Sequence, residues 1–127
     1  MGDFNDEPSD RSISEILSST CDTLNLEKHQ LINLMCENKK NDEFTYFYKY
    51  LFMKQKLVLD QFIVSANFLK PDNRFNIDKN KAYIFKPDWL LIKDSEGNQK
   101  PFSTYTGPHY NGGFSDHLPV YIVVRSL

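Results

Sequence analysis

The spacing of apolar and polar residues predicts short helices in the first third of the chain. Ser12 and Glu15 have the spacing of a capping box and are followed by apolar residues at helical spacing, which predicts a helix over residues 12–19. Residues 31–35 favour a second helical or mixed segment, which ends in the polar run 37–43.

Extended structure is predicted for most of the remaining chain. Residues 44–51 are nearly all aromatic or β-branched and residues 57–65 are mainly apolar, so the two segments are expected to pair as antiparallel strands joined through residues 53–56. Turn residues occupy 94–98. Further extended segments are expected at residues 83–85, 89–93 and 118–125, and the last is a near-continuous apolar run, typical of a strand buried on both faces.

This pattern predicts an α/β or α+β layered domain. No repeat or linker divides the chain, so residues 1–127 are interpreted as a single unit. At 40% hydrophobic residues, the chain has enough apolar side chains for a packed core. Cys21 and Cys36 permit at most one disulfide and fit no zinc-binding pattern.

Charge and hydropathy narrow the function classes. The 15 basic and 17 acidic residues give a net charge of −2, which does not favour an extended nucleic-acid surface. Five lysines between Lys39 and Lys56 fit a solvated face better than a binding patch. No apolar run reaches the roughly 18–20 residues that a membrane-spanning helix needs, so no transmembrane segment is expected.

Three short segments carry polar residues that strand patterning does not require. In residues 2–8, Asp3 and Asn5 are expected to point to one side and Phe4 into the core. Asp60 interrupts an apolar strand, and an acid and an imidazole, Asp116 and His117, precede the last strand. Taken singly, the first segment is most simply a turn or an N-cap and the third a solvated loop, whereas Asp60 fits an edge charge and a buried functional carboxylate equally well. Together they favour a shared site.

In their order along the chain, three motifs resemble those of the endonuclease/exonuclease/phosphatase superfamily. They are Gly2-Asp3-Phe4-Asn5, then Leu59-Asp60-Gln61 followed by Val64-Ser65, then Ser115-Asp116-His117 followed by Pro119-Val120. The superfamily includes deoxyribonuclease I, apurinic endonucleases, neutral sphingomyelinases and inositol polyphosphate phosphatases. The resemblance implies a four-layer α/β sandwich, and it implies that this chain is the C-terminal half of such a domain. The early Asn, metal-binding Glu and mid-chain His or Tyr motifs of the family would then lie in a missing N-terminal half.

The resemblance also implies roles for five residues. Asp3 would activate or orient the attacking water, and Asn5 would help to hold that water and the phosphate. His117 would contact the scissile phosphate, and Asp60 would accept a hydrogen bond from it. Asp116 would belong to a site for Mg²⁺ or Mn²⁺, which prefer carboxylate oxygen.

The function expected from the resemblance is metal-dependent phosphodiester hydrolysis by an activated water in the full-length protein, with the isolated chain inactive. Nucleic acid, a phospholipid or a small phosphodiester stay open as substrates. The alternatives are a catalytically incomplete half-domain with a binding or structural role, and a phosphatase- or sphingomyelinase-type member. Trp89, Tyr105 and Tyr110 are candidates for a substrate groove, although core packing is the favoured interpretation.

Overall fold

The computed structural model describes residues 1–71 and 73–126. Strands predominate and helices are few, consistent with the α/β class. No helix in the described ranges is long and apolar enough to span a membrane. The short helical elements are a π-helical turn at Ser12–Ile16, helix α1 at Cys36–Lys40, and 3₁₀ turns at Ala66–Leu69 and Asp88–Leu90. The strands are β1 (Gly2–Asp3), β2 (Ser19–Thr20), β3 (Leu31–Asn33), β4 (Tyr46–Tyr50), β5 (Met53–Leu57), β6 (Asp60–Gln61), β7 (Ile63–Ser65), β8 (Phe75–Ile84), β9 (Leu91–Lys93), β10 (Gln99–Pro101), β11 (Tyr105–Thr106), β12 (His109–Tyr110) and β13 (Val120–Ser126).

Antiparallel pairing dominates the described part of the chain. The pairs are β1 with β6, β4 with β5, β8 with β13, β9 with β10 and β11 with β12, and β3 lies between β2 and β7 with only the β2–β3 pair parallel. The buried cluster that these strands share includes Ile32, Met35, Val58 and Leu118, each at most 1% exposed. Leu118 directly follows Asp116 and His117 in the chain. Its burial in the core therefore fixes the position of the backbone next to these two residues.

The first helical prediction is only partly met. A π-helical turn at Ser12–Ile16 replaces the expected helix over residues 12–19, and no side chain caps its N-terminus. The hydroxyl of Ser12 donates to Asp6 Oδ2 instead, so the predicted capping box is wrong. In the second segment, residues 31–33 form strand β3, and helix α1 begins at Cys36 and extends into the polar run 37–43 that was expected to end the segment.

The predicted hairpin has the wrong second strand. Strand β4 pairs with Met53–Leu57 through a tight turn at Leu51 and Phe52, and Leu51 has a positive φ of 51°. Residues 57–65 do not form one strand, because Val58 and Leu59 bury their side chains between β5 and β6. The exposed polar residues 54–56 suit an edge strand, which apolar patterning alone does not detect.

Three burial predictions are also wrong. Phe4 is 37% exposed, because the chain leaves β1 at once and turns at Asn5, whose φ is 53°. Strand β13 is not buried on both faces: Tyr121, Val123 and Val124 are 39–46% exposed, since β13 pairs with β8 alone. The favoured core packing of Trp89, Tyr105 and Tyr110 fails as well, because the three side chains are 56–70% exposed.

Cys21 and Cys36 form a disulfide, the one bridge that the two cysteines permit. It ties the segment after β2 to the first residue of α1, across a sequence separation of 15. Strand β3, which carries Asn33, lies within this closed loop.

Candidate active site

Asp60 and His117 are in direct contact. Oδ2 of Asp60 lies 2.6 Å from Nδ1 of His117, and the two side chains are 19% and 23% exposed. A carboxylate on one ring nitrogen sets the orientation of the imidazole and determines which nitrogen carries the proton. The other ring nitrogen, Nε2, is then the one available to a ligand. The pair is thus a half-buried acid–imidazole couple at the surface of the domain.

Thr45 connects the two strands that carry this couple. Its buried hydroxyl oxygen accepts hydrogen bonds from the backbone N–H groups of Leu59 and Asp60 at 3.0 and 3.1 Å. Its carbonyl oxygen accepts from the N–H of Leu118 at 2.8 Å. One residue therefore holds the backbone beside both Asp60 and His117. The sequence analysis missed Thr45, whose signal is the one aliphatic hydroxyl in the largely aromatic segment 44–51.

Tyr46 supports the imidazole from the side. Tyr46 forms an isolated antiparallel bridge with His117, and the two ring centroids are 4.8 Å apart at an angle of 34°. The imidazole is therefore held by a carboxylate at Nδ1 and by an aromatic ring against one face. Tyr46 was predicted only as a strand residue.

Asp3 lies beside Asp60 through strand pairing. The two residues occupy opposing positions of the β1–β6 pair, and directly opposed residues of an antiparallel pair project to the same face. Oδ1 of Asp3 accepts a hydrogen bond from the N–H of Asn5 at 2.9 Å, an Asx turn that fits the left-handed φ of Asn5. Asp3, Asn5, Asp60 and His117 thus meet in one region although they come from separate segments.

The loop before His117 is fixed by close backbone packing. A Cβ atom at Gly113 would overlap the backbone of Phe102 and Ser103, so only glycine fits this position. The N–H of Phe114 donates to the carbonyl of Phe102 at 2.7 Å. The hydroxyl of Ser115 accepts from the N–H of His117 at 3.1 Å, which gives Ser115 a turn-shaping contact.

Asp116 is exposed and lines a surface cavity of about 280 Å³. Within residues 1–71 and 73–126, no three His, Cys, Asp or Glu side chains are grouped so that they could hold a metal ion. Mg²⁺ is usually held by one or two carboxylates together with waters and substrate phosphates in near-octahedral geometry, and Asp116 offers one such carboxylate. The metal role of Asp116 stays a prediction.

Carboxylates neutralise most of the lysines near the site. Glu96 pairs with Lys49 at 2.7 Å and also with Lys54, and hydrogen bonds to these ammonium groups hold the pKa of Glu96 below its ordinary value. The same contact with Glu96 raises the pKa of Lys49. Lys39 pairs with Glu7 at 2.6 Å, and Lys56 pairs with Asp42. The predicted solvated face is therefore largely a set of ion pairs.

Buried amides lie beneath Asp60. Gln61 is 0% exposed, its Oε1 accepts from Nδ2 of Asn33, and its Nε2 donates to the carbonyl of Asp6. Oδ1 of Asn33 accepts from the N–H of Met35 at 3.0 Å. These contacts join β6 to β3 and to the segment after β1. The sequence analysis did not assign Asn33 or Gln61 a role, because buried and exposed amides look alike in sequence.

The family model described as "Endonuclease/Exonuclease/phosphatase family" matches residues 1–126 of the chain. No curated protein and no solved structure matches the chain.

Proposed function

Because this chain belongs to the endonuclease/exonuclease/phosphatase family, we propose that it carries the Asp–His part of the active site of a phosphodiester hydrolase. Membership suggests hydrolase activity on phosphoesters. The finer proposal is endonuclease-like cleavage of a phosphodiester by an activated water. The 2.6 Å contact between Asp60 and His117 is the observation that supports it most directly.

Each residue has a distinct part in this proposal. Asp60 positions the imidazole through Nδ1, which leaves Nε2 to donate to a phosphoryl oxygen as negative charge develops there. Asp3 orients the attacking water and accepts a proton from it as the water oxygen attacks phosphorus, and Asn5 helps to hold that water and the phosphate. General acid–base groups placed in this way typically contribute about 10²- to 10⁴-fold in rate.

Divalent metals are generally used in this family. We propose that Asp116 contributes one carboxylate to a site for Mg²⁺ or Mn²⁺ whose other ligands lie outside the described residues. When bound, such an ion offsets the negative charge of the phosphodiester.

We further propose that residues 1–127 are the C-terminal half of a four-layer sandwich. The support is one side of β13, where Tyr121 and Val123, two residues apart, are 43% and 39% exposed. A sheet face of this kind usually packs against another layer. The N-terminal half of the same domain is the proposed covering layer.

The test is hydrolysis of bis(p-nitrophenyl) phosphate with Mg²⁺ or Mn²⁺, by the chain alone and after addition of an N-terminal half. Recovery of activity on addition supports the proposal, and a His117→Ala variant should then lose it. His109→Ala is the matched control, because His109 is exposed on β12, whereas His117 is the histidine in contact with Asp60. If neither preparation cleaves any phosphodiester, a binding or structural role replaces the proposal. Preferential release of inorganic phosphate from inositol polyphosphates, or of phosphocholine from sphingomyelin, identifies the phosphatase or sphingomyelinase type.

A further inference from the structure

A surface cavity shares a wall with the Asp60–His117 couple. Its volume is about 280 Å³. Tyr46 forms part of that wall, and its ring packs against the ring of His117. Only the ring of Tyr46 therefore separates a ligand in the cavity from the imidazole. The main groups that line it are Tyr46, Tyr105, Lys49, Lys100, Ser103 and Asp116.

The aromatic part of the lining is held in place. Tyr105 is 59% exposed, and its ring packs edge-to-face against Tyr110 at 5.4 Å across the β11–β12 pair. Tyr46 is restrained on its other side by His117. Exposed but ordered tyrosine rings suit stacking with a flat ligand, because little rotational freedom is lost on binding.

The charged part of the lining consists of two lysines and the carboxylate of Asp116. Lys49 is tied to Glu96 at 2.7 Å. Lys100, in contrast, forms no ion pair within residues 1–71 and 73–126. The ammonium group of Lys100 can therefore pair with a phosphate, and the two tyrosine rings beside it can stack on a flat ring that carries this phosphate. An inositol polyphosphate has no flat ring that could stack on these tyrosines.

We propose that this cavity is the subsite for one unstacked base next to the scissile phosphate of single-stranded nucleic acid. The inference rests on the proposed phosphodiester hydrolase function and specifies its substrate. Ligand pockets for drug-sized molecules usually span about 300–1,000 Å³, so this cavity has room for one ring system only. A base inside a duplex is stacked on both faces and does not enter such a cavity unless it is flipped out.

The experiment measures binding by fluorescence anisotropy, which needs no activity. The probe is a fluorescein-labelled oligothymidylate of about eight nucleotides, within the usual site size of single-strand binders. Tyr105→Ala should weaken its binding about 5- to 150-fold, the range measured for loss of one base–aromatic stack. Tyr105→Phe should bind like the parent, because it keeps the ring. Tyr50→Ala is the matched control, since Tyr50 is also 59% exposed but does not line the cavity.

A second probe, an abasic strand of the same length, keeps the phosphates but has no bases. It therefore separates the contribution of stacking to binding from the contribution of charge. Tyr105→Ala should leave its affinity unchanged, whereas Lys100→Gln should weaken binding of both strands. For a duplex of the same length, the parent and Tyr105→Ala should have the same affinity. Equal loss for Tyr105→Ala and Tyr50→Ala, or tighter duplex binding that depends on Tyr105, overturns the inference. Either result leaves the hydrolase proposal standing, because that proposal is judged by cleavage and by His117→Ala.

Discussion

The hydroxyl oxygen of Thr45 accepts a hydrogen bond from the backbone N–H of Asp60 at 3.1 Å, although the two residues are 15 positions apart. The same oxygen accepts from Leu59. Thr45→Val keeps the shape of the side chain and leaves both N–H groups without this partner, which costs about 1–3 kcal/mol for each group that stays unpaired. We expect a lower free energy of unfolding in urea and lower activity in the full-length protein.

The control for this variant is Thr45→Ser, which retains the acceptor oxygen and loses only a methyl group. It should be more stable than Thr45→Val. Equal stability of the two variants would show that the hydroxyl of Thr45 is not needed to hold the strand.

Asp60→Asn tests how the carboxylate acts on His117. The substitution keeps size and shape but removes the negative charge beside Nδ1 of His117, so hydrolysis in the bis(p-nitrophenyl) phosphate assay should fall by about 10²- to 10⁴-fold with the melting temperature preserved. Hydrolysis against pH and thermal melts, for the parent, Asp60→Asn and His117→Ala, are the measurements.

The double variant distinguishes positioning from independent action. If Asp60 acts through His117, the double variant is little worse than His117→Ala alone. Additive losses, or parental activity in Asp60→Asn, would leave Asp60 with a structural role only.

Gly113→Ala should disturb the loop that presents Asp116 and His117. The added methyl group overlaps backbone atoms of Phe102 and Ser103, which cannot rotate away as a side chain does. A loss of about 1–3 kcal/mol in unfolding free energy is expected from such overpacking. Gly2→Ala is the control, because a Cβ there meets no atom within 4 Å and the stability should be unchanged. A Gly113→Ala protein as stable as Gly2→Ala would mean that the loop backbone yields freely.

The Cys21–Cys36 disulfide closes a short loop, and a bridge of this span stabilises a domain by roughly 3 kcal/mol. Replacing both cysteines with serine should lower the urea midpoint accordingly. Dithiothreitol should shift the parent to the same midpoint and leave the double-serine variant unchanged. An unshifted parent under reducing conditions would contradict the expected contribution.

Asp94 should make the stability of the 94–98 turn depend on pH. A hydrogen bond from the side chain of Asn98, together with backbone N–H donors, holds the pKa of Asp94 well below its ordinary value of 3.8. Because the folded-state pKa is depressed, the stabilisation is present above the unfolded value and is lost as the pH falls from 3.8 through the folded pKa. The difference in unfolding free energy between the parent and Asp94→Asn should therefore shrink at acidic pH. A constant difference between neutral pH and about pH 2 would contradict this assignment.

Local patterns predicted the elements whose signal is local. The turn at residues 94–98 and the extended segment around Tyr83 are both present, because turn residues and β-branched runs act over a few positions. Pairing partners were not predictable in this way. Residues 54–56 pair with β4 although they are polar, and Phe4 is exposed because the chain turns at Asn5.

The contact between Asp60 and His117 was expected from family resemblance rather than from spacing, and the catalytic roles of these residues stay predictions. Thr45 and Tyr46 were missed because their contacts join segments far apart in the chain. The disulfide was undecided because two cysteines give no sign of their distance in space.

Gln61 and Asp60 are neighbours on one strand, so their side chains point to opposite faces. Two neutral amides, Gln61 and Asn33, hold the inner face through hydrogen bonds to each other and to the carbonyl of Asp6. A slip of β6 by one residue would break these bonds and turn the Asp60 carboxylate inward. The hydrogen bonds of the two buried amides therefore fix the register of strand β6. A substitution at Asn33 would misdirect Asp60 without removing any group that reacts.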